Sequence, residues 1–175
     1  MPERLLRLYT PRLCLKEIEE SSRDEMIGCF LDENVRKTYM IPPLETKEQA
    51  DRLFERFASL SADRERFVYG IYLDGRLAGF INDCARDARS LELGYVTLPR
   101  YQNRGVMTEA LTAAIAEAFR AGYQRVEAGF FEGNAASRRV MEKCGMKASG
   151  RVETVTWQGS EICTVFYEVH KEKSE

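Results

Sequence analysis

Leu91-Glu-Leu-Gly-Tyr-Val-Thr-Leu-Pro-Arg-Tyr-Gln-Asn-Arg-Gly-Val-Met-Thr-Glu-Ala-Leu111 reads as a strand, a short loop with one glycine, and the opening of a helix. Pro99 ends the strand predicted over Leu91 to Leu98. The helix predicted over Met107 to Ala121 carries Leu111, Ala114, Ile115, Ala118 and Phe119 on one face, with Gly122 closing it. Such a junction leaves backbone N–H groups free around Arg104, Gly105, Val106, Met107 and Thr108 at the positive end of a helix dipole. That is a ready site for a pyrophosphate, and Gly105 would let a ligand approach the backbone. Any strand-to-helix turn also favours a glycine for structural reasons, so the loop alone leaves both readings open. No G-x-x-x-x-G-K-[ST] or G-x-G-x-x-G occurs, which removes the usual support for ATP hydrolysis and for dinucleotide binding.

Outward from this junction the pattern is regular. Upstream, a strand is predicted over Arg12 to Ile18, followed by helices over Arg23 to Leu31 and over Lys47 to Leu60, the second capped by Thr46 with Gln49 three residues on. Tyr39-Met-Ile-Pro-Pro-Leu44 cannot continue a helix and holds bulky apolar side chains in a loop, where a substrate mouth and a plug at the core edge are equally suited to them. Strands over Phe67 to Leu73 and Arg76 to Cys84 are joined by Asp74-Gly75, a strong hairpin signal. Downstream come a strand over Arg125 to Phe131, a short helix over Asn134 to Cys144 stopped by Gly145, and strands over Met146 to Trp157 and Ile162 to Val169. The order β-α-α-β-β-β-α-β-α-β-β predicts an α+β domain with helices packed on a central sheet.

At 175 residues, 44% of them hydrophobic, the chain suits a single domain spanning residues 1–175 with its core at about 8–169. Lys and Arg number 26 against 28 Asp and Glu, a net charge of −2. No global positive field draws such a protein to nucleic acid or to anionic lipid. Met1 to Leu8 has neither the apolar segment of a signal peptide nor a membrane span, so a cytoplasmic protein is expected. The five cysteines are scattered without a C-x-x-C pair, which suggests buried free thiols rather than disulfides or zinc. With His170 as the one histidine, no metal is expected and the chemistry must rest on other groups.

Three ordered blocks resemble one family. Gln102-Asn-Arg-Gly105-Val-Met107 is similar to the Q/R-x-x-G-x-G/A coenzyme A loop of the GNAT acetyltransferases, and Asn134-Ala-Ala-Ser137 with Lys143-Cys-Gly-Met146 is similar to that superfamily's later N-x-x-S…K-x-G-F block. Thr10-Pro-Arg-Leu-Cys-Leu15 resembles the T-x-R-L-x-L start of the RimJ/RimL-type branch. The likeness runs from about Leu8 to Val169. It implies the GNAT acyl-CoA N-acyltransferase fold, with a central, mostly antiparallel sheet flanked by helices, and it implies acetyl-CoA as co-substrate. The acceptor it implies is a primary amine, either a protein N-terminus such as that of a ribosomal protein or a small amine or polyamine. A monomer or a homodimer fits. Met107 stands where Gly or Ala is usual, Met146 where Phe is usual, and Met141 where many members place the tyrosine that protonates the leaving thiolate. The last departure keeps a non-catalytic coenzyme A-binding module in view.

Amine acetylation needs a neutral amine, a polarised thioester carbonyl and a proton for the thiolate. The resemblance implies that backbone amides at the strand end, those of Val96 and Leu98, hold the pantetheine arm, that Gln102, Asn103, Arg104, Gly105, Val106, Met107 and Thr108 form the pyrophosphate loop, and that Asn134 bonds the pantetheine. Asn134 is equally a good N-cap. Ser137, one turn later on the same side, is the candidate general acid, with a solvated helix serine as its alternative. Glu92 is the candidate base, with an arginine-paired strand carboxylate as its alternative, and Glu153 stands in reserve. Tyr95, Tyr101 and Trp157 suit packing or a substrate wall equally and are assigned no chemistry.

Overall fold

The computed structural model describes residues 3–172. Eight strands form one sheet: β1 (Leu8–Tyr9), β2 (Leu13–Lys16), β3 (Tyr69–Leu73), β4 (Arg76–Arg86), β5 (Ser90–Thr97), β6 (Arg125–Phe131), β7 (Lys147–Trp157) and β8 (Ser160–His170). The helices are α1 (Arg23–Leu31), α2 (Glu33–Thr38), α3 (Lys47–Ala62), α4 (Val106–Arg120) and α5 (Ala135–Lys143). The spatial strand order is β1-β2-β3-β4-β5-β6-β8-β7, and every neighbouring pair is antiparallel except β5 and β6. This is the expected α+β arrangement.

The period-2 alternation of the strands feeds two cores. Leu13, Leu15, Tyr69, Ile71, Ala78 and Ile81 pack with α4 and α5 on one face. Tyr72, Leu77 and Phe80 pack with α1, α2 and α3 on the other. Phe80 meets Phe57 and Phe30 edge-on, at ring separations of 5.0 and 6.1 Å.

Local signals act as read. Thr46 Oγ1 accepts from the Gln49 N–H while the Gln49 side chain accepts from the Thr46 N–H, closing a capping box on α3. Asp74 and Gly75 both take positive φ, as a two-residue hairpin of the primed type requires. Several element bounds differ from the expected ones by one or two residues, and four differences bear on the fold. The edge strand β1 has only two residues, too few to show a period. Helix α2 has six and rests on its Asp32 cap, which accepts from the N–H groups of Asn34 and Val35. Strand β4 runs two residues beyond Cys84 because Asp87 accepts from the Arg89 and Ser90 N–H groups and turns the chain there. Of the five free cysteines, Cys29 alone is buried. No helix among the described residues is long and apolar enough to cross a membrane.

Candidate active site

Strands β5 and β6 pair at Ser90, Leu91 and Glu92 with Arg125, Val126 and Glu127, and no further. Beyond Glu92 they diverge, and a cavity of about 950 Å³ opens along the gap. Glu92 and Val96 on β5, Gln102 and Asn103 in the loop, Gly105 to Thr108 at the start of α4, and Asn134 and Ser137 at the start of α5 all border it. Leu98 and Arg104 do not.

The strand backbone corrects one assignment by a single residue. The Leu98 N–H donates to the Ala78 carbonyl at 2.9 Å, so it is spent on β4. Antiparallel pairing alternates, which makes Phe80–Val96 the next hydrogen-bonded pair in the register and turns the Val96 amide to β4 as well. Consistently, the Val96 carbonyl lies so close to Gly79 that a β-carbon there would collide with it. The backbone groups that face the gap are those of Tyr95 and Thr97.

The loop presents unpaired backbone donors at the next step along the cavity. Asn103 and Gly105 take φ of 59° and 72°, and Gly105 is the N-cap of α4 in the left-handed region. No side chain caps the helix, so the N–H groups of its first turn are left for a ligand. The loop is held from beneath by the segment before β2. Arg12 Nη1 donates to the Arg104 carbonyl at 3.0 Å, and Arg12 Nε and N–H and the Thr10 hydroxyl donate to Glu109 on α4. Arg100, just before the loop, is paired with Glu25 and stacks on Tyr101.

At the far side of the gap, Asn134 Oδ1 accepts from the Ser137 N–H at 3.2 Å. The cap is therefore real, and it leaves the Asn134 Nδ2 donor for a ligand. The Tyr95 phenol reaches from β5 to within 2.8 Å of Ser137 Oγ. Burial raises the Tyr95 pKa well above its ordinary value, so the phenol stays protonated. The sequence assigns Tyr95 no part; strand alternation puts it with Leu91 and Leu93 on the sheet face that α4 and α5 cover, but the contact spans 42 positions and depends on how α5 docks. Met141 is fully buried in the core and offers no proton.

Glu92 Oε2 lies 3.0 Å from Arg151 Nη1. The same guanidinium holds Glu127 at 2.9 Å and Glu153 at 2.7 Å and lies over the Phe166 ring. Of this cluster, Glu92 and Glu153 border the cavity. Farther out, Tyr39 donates to Asn82 Oδ1 and packs edge-on against Phe80, while Met40 is half exposed and Ile41 is buried. The Tyr39 loop thus anchors in the core and borders the cavity at once. The tip of the β7–β8 hairpin reaches α2, where Trp157 Nε1 donates to the Arg36 carbonyl at 3.1 Å. Among the described residues no group of three or more His, Cys, Asp or Glu is placed to hold a metal ion.

A split sheet, an uncapped helix start facing the gap and a polar pair across it thus border one long cleft. Residues 12–147 match the acetyltransferase (GNAT) domain, and the chain belongs to that family and is an acetyltransferase. Among its relatives, the uncharacterized N-acetyltransferase YoaA of Bacillus subtilis is 28% identical over 170 residues, covering 94% of this chain and 96% of that one. The GNAT-family acetyltransferase of Bacillus anthracis superposes with a TM-score of 0.80 at 22% identity, over 94% of this chain and 98% of that one. RimL, a ribosomal L7/L12 alpha-N-protein acetyltransferase in complex with coenzyme A, superposes with a TM-score of 0.77 at 17% identity, over 92% and 95% of the two chains.

Proposed function

We propose that the chain transfers an acetyl group from acetyl-CoA to a primary amine, with a protein N-terminal amine such as that of a ribosomal protein as the first candidate and a small amine or polyamine as the second. The observation that carries this reading is the continuous cavity from the uncapped start of α4, along the free edge of β5, to the Arg151 carboxylates. A pyrophosphate fits the first, an extended amide-bearing arm the second, and an ammonium the third. RimL acts on ribosomal L7/L12 by its name, which supports a protein N-terminus as the first candidate. A cytoplasmic setting fits such an acceptor.

Acetyl-CoA supplies an activated thioester when bound. The first-turn amides of α4, with Gln102 and Asn103 beside them, hold the phosphates, and the Asn134 amide holds the arm. The Tyr95 and Thr97 amides, pointing into the gap, take the role first given to Val96 and Leu98, bonding the arm and the carbonyl oxygen. Glu92, held by Arg151, accepts a proton from the acceptor ammonium directly or through a water, with Glu153 in reserve. Ser137 gives the departing sulfur a proton and recovers one from solvent, so the reaction is balanced by the proton the amine loses. Positioning of two reactants in this way accounts for most of the acceleration that a thioester needs.

The test is release of free thiol from acetyl-CoA against a panel of peptides with free N-terminal amines, polyamines and amino-acid amides. Turnover with peptides above the small amines supports the first acceptor, and the reverse order supports the second. Binding of acetyl-CoA without thiol release across the panel would overturn the proposal.

A further inference from the structure

We infer that the acceptor cleft selects an N-terminal segment with an acidic side chain behind its amine, and that Arg56 and Arg52 of α3 recognise that side chain. The inference deepens the reading of the acceptor as a protein N-terminus and rests on it.

The side from which the acceptor comes follows from the faces of β5. Glu92 shares its face with Gly94 and Val96, and Val96 packs in the core formed with α1, α2 and α3. Tyr95, which meets Ser137, turns to the opposite face with α4 and α5. An amine that gives its proton to Glu92 therefore lies on the α3 side of the sheet. On that side the tip of the β7–β8 hairpin is tied to α2, because Trp157 Nε1 and Gln158 Nε2 donate to the same Arg36 carbonyl at 3.1 and 3.2 Å. Thr38 of α2 and Val155 of β7 border the cavity beside this tie. Another wall is the stripe Leu53, Arg56, Phe57 and Leu60 of α3.

Charge is sorted along that wall. Of the charged side chains bordering the cavity, Arg66 is paired with Asp83, and Glu92 and Glu153 are paired with Arg151. Arg56, Arg139 and Lys143 enter no ion pair among the described residues; the last two stand on α5, and Arg56 stands on α3. Arg52, one turn before Arg56, is exposed and equally without an ion-pair partner among the described residues. The neighbouring acids Asp51 and Glu55 are drawn to Arg23 of α1 instead. Like charges one turn apart on a helix repel, and no carboxylate among the described residues relieves these two.

Both arginines border a second hollow of about 250 Å³, whose facing wall is Pro42, Pro43 and Leu44. Pro42, Leu53 and Arg56 border both spaces, so hollow and cavity meet at Arg56. The prolines bring no N–H donors to their wall, and the arginines are the charged groups that the hollow offers. A segment with its amine at Glu92 and its chain leaving past α3 meets Arg56 at the edge of the cavity and Arg52 beyond it. A guanidinium receives a carboxylate through two parallel N–H donors, so an aspartate or glutamate on that segment supplies the counter-charge the pair lacks.

The test measures binding apart from turnover. Peptides with a free N-terminal amine and a C-terminal fluorophore carry one aspartate at the second, third, fourth or fifth position, or asparagine or lysine in its place. Their affinity for the whole chain saturated with coenzyme A is read by anisotropy. At one position or two adjacent ones, the aspartate peptide is expected to bind about tenfold tighter than its asparagine counterpart, and the lysine peptide more weakly than both. Arg56→Gln is expected to remove most of that ratio, and the double variant with Arg52→Gln the rest. Arg56→Glu is expected to reverse the order of the aspartate and lysine peptides, which a merely structural arginine would not do. Equal binding of aspartate and asparagine peptides at every position, or an aspartate preference that survives in the double variant, overturns the inference. Thiol release from acetyl-CoA with the same peptides separates it from the reading beneath it. Release with neutral peptides and no aspartate preference leaves the protein N-terminus as acceptor and removes this inference alone. Aspartate peptides that bind and are never acetylated overturn the acceptor reading, and this inference falls with it.

Discussion

The Glu92 carboxylate lies 3.0 Å from the Arg151 guanidinium, so the residue proposed as proton acceptor is also half of an ion pair. The two roles part in Glu92→Gln, which keeps the size and removes the basicity. Arg151 retains Glu127 and Glu153 in that variant, so the loss of stability should stay within about 1 kcal/mol, as for a partly exposed pair. We expect kcat/KM to fall by about 10²-fold while acetyl-CoA binding is kept. Unchanged turnover at saturating acceptor with a lowered melting temperature would instead make Glu92 a holder of Arg151.

Asn134 is both cap and proposed cofactor ligand, and its two side-chain atoms divide the work. Asn134→Asp keeps an oxygen for the Ser137 N–H and loses the amide donor. Aspartate caps helices as well as asparagine does, so the melting temperature should hold while KM for acetyl-CoA rises. Asn134→Ala loses both functions and should cost about 1 kcal/mol as well. An unchanged KM in Asn134→Asp would leave the residue as a cap alone.

Glu109 binds the start of the sheet to the loop helix and gives the fold a pH dependence. Burial pushes its pKa up, but hydrogen bonds from Thr10 and from Arg12 outweigh that and hold it below the ordinary value. A carboxyl depressed in the folded state contributes stability that is present above its unfolded value of about 4.3 and is lost as pH falls through the folded one. Glu109→Gln should therefore melt lower at neutral pH, by on the order of 1 kcal/mol, and show a shallower loss on acidification below about pH 4. Melting curves that remain parallel to wild type across this range would contradict the account.

Much of the architecture is legible in short-range signals. Pro99 and Gly105 bound the loop, Thr46 with Gln49 starts α3, and Asp74-Gly75 fixes one hairpin, because each acts within a few residues of itself. The site is less legible where it depends on register and docking. Which amides of β5 face the gap is set by the pairing of Leu98 with Ala78, and the bulge between Asp83 and Ala85 lies within the same ladder. The Arg151 cluster draws its carboxylates from β5, β6 and β7 and exists only once all three strands are aligned. Tyr95 and Ser137 meet only because α5 crosses the end of the split sheet. Helix α2 has no periodic face to read, and its one signal is the Asp32 cap.

The central claim is that the start of α4 binds the pyrophosphate of acetyl-CoA, and the rise in melting temperature on adding acetyl-CoA tests it most directly in two variants of Gly105. Residue 105 has φ of 72°, a conformation that asparagine and aspartate tolerate better than other side chains, and a β-carbon there would make only an ordinary contact with Arg12. Gly105→Asn and Gly105→Asp are nearly the same size, so they differ chiefly in one negative charge beside the proposed anion. Ligand binding raises the melting temperature by mass action. The account predicts that Gly105→Asn keeps a clear shift with acetyl-CoA and that Gly105→Asp loses it. Equal shifts in the two variants would show that no phosphate lies at this loop.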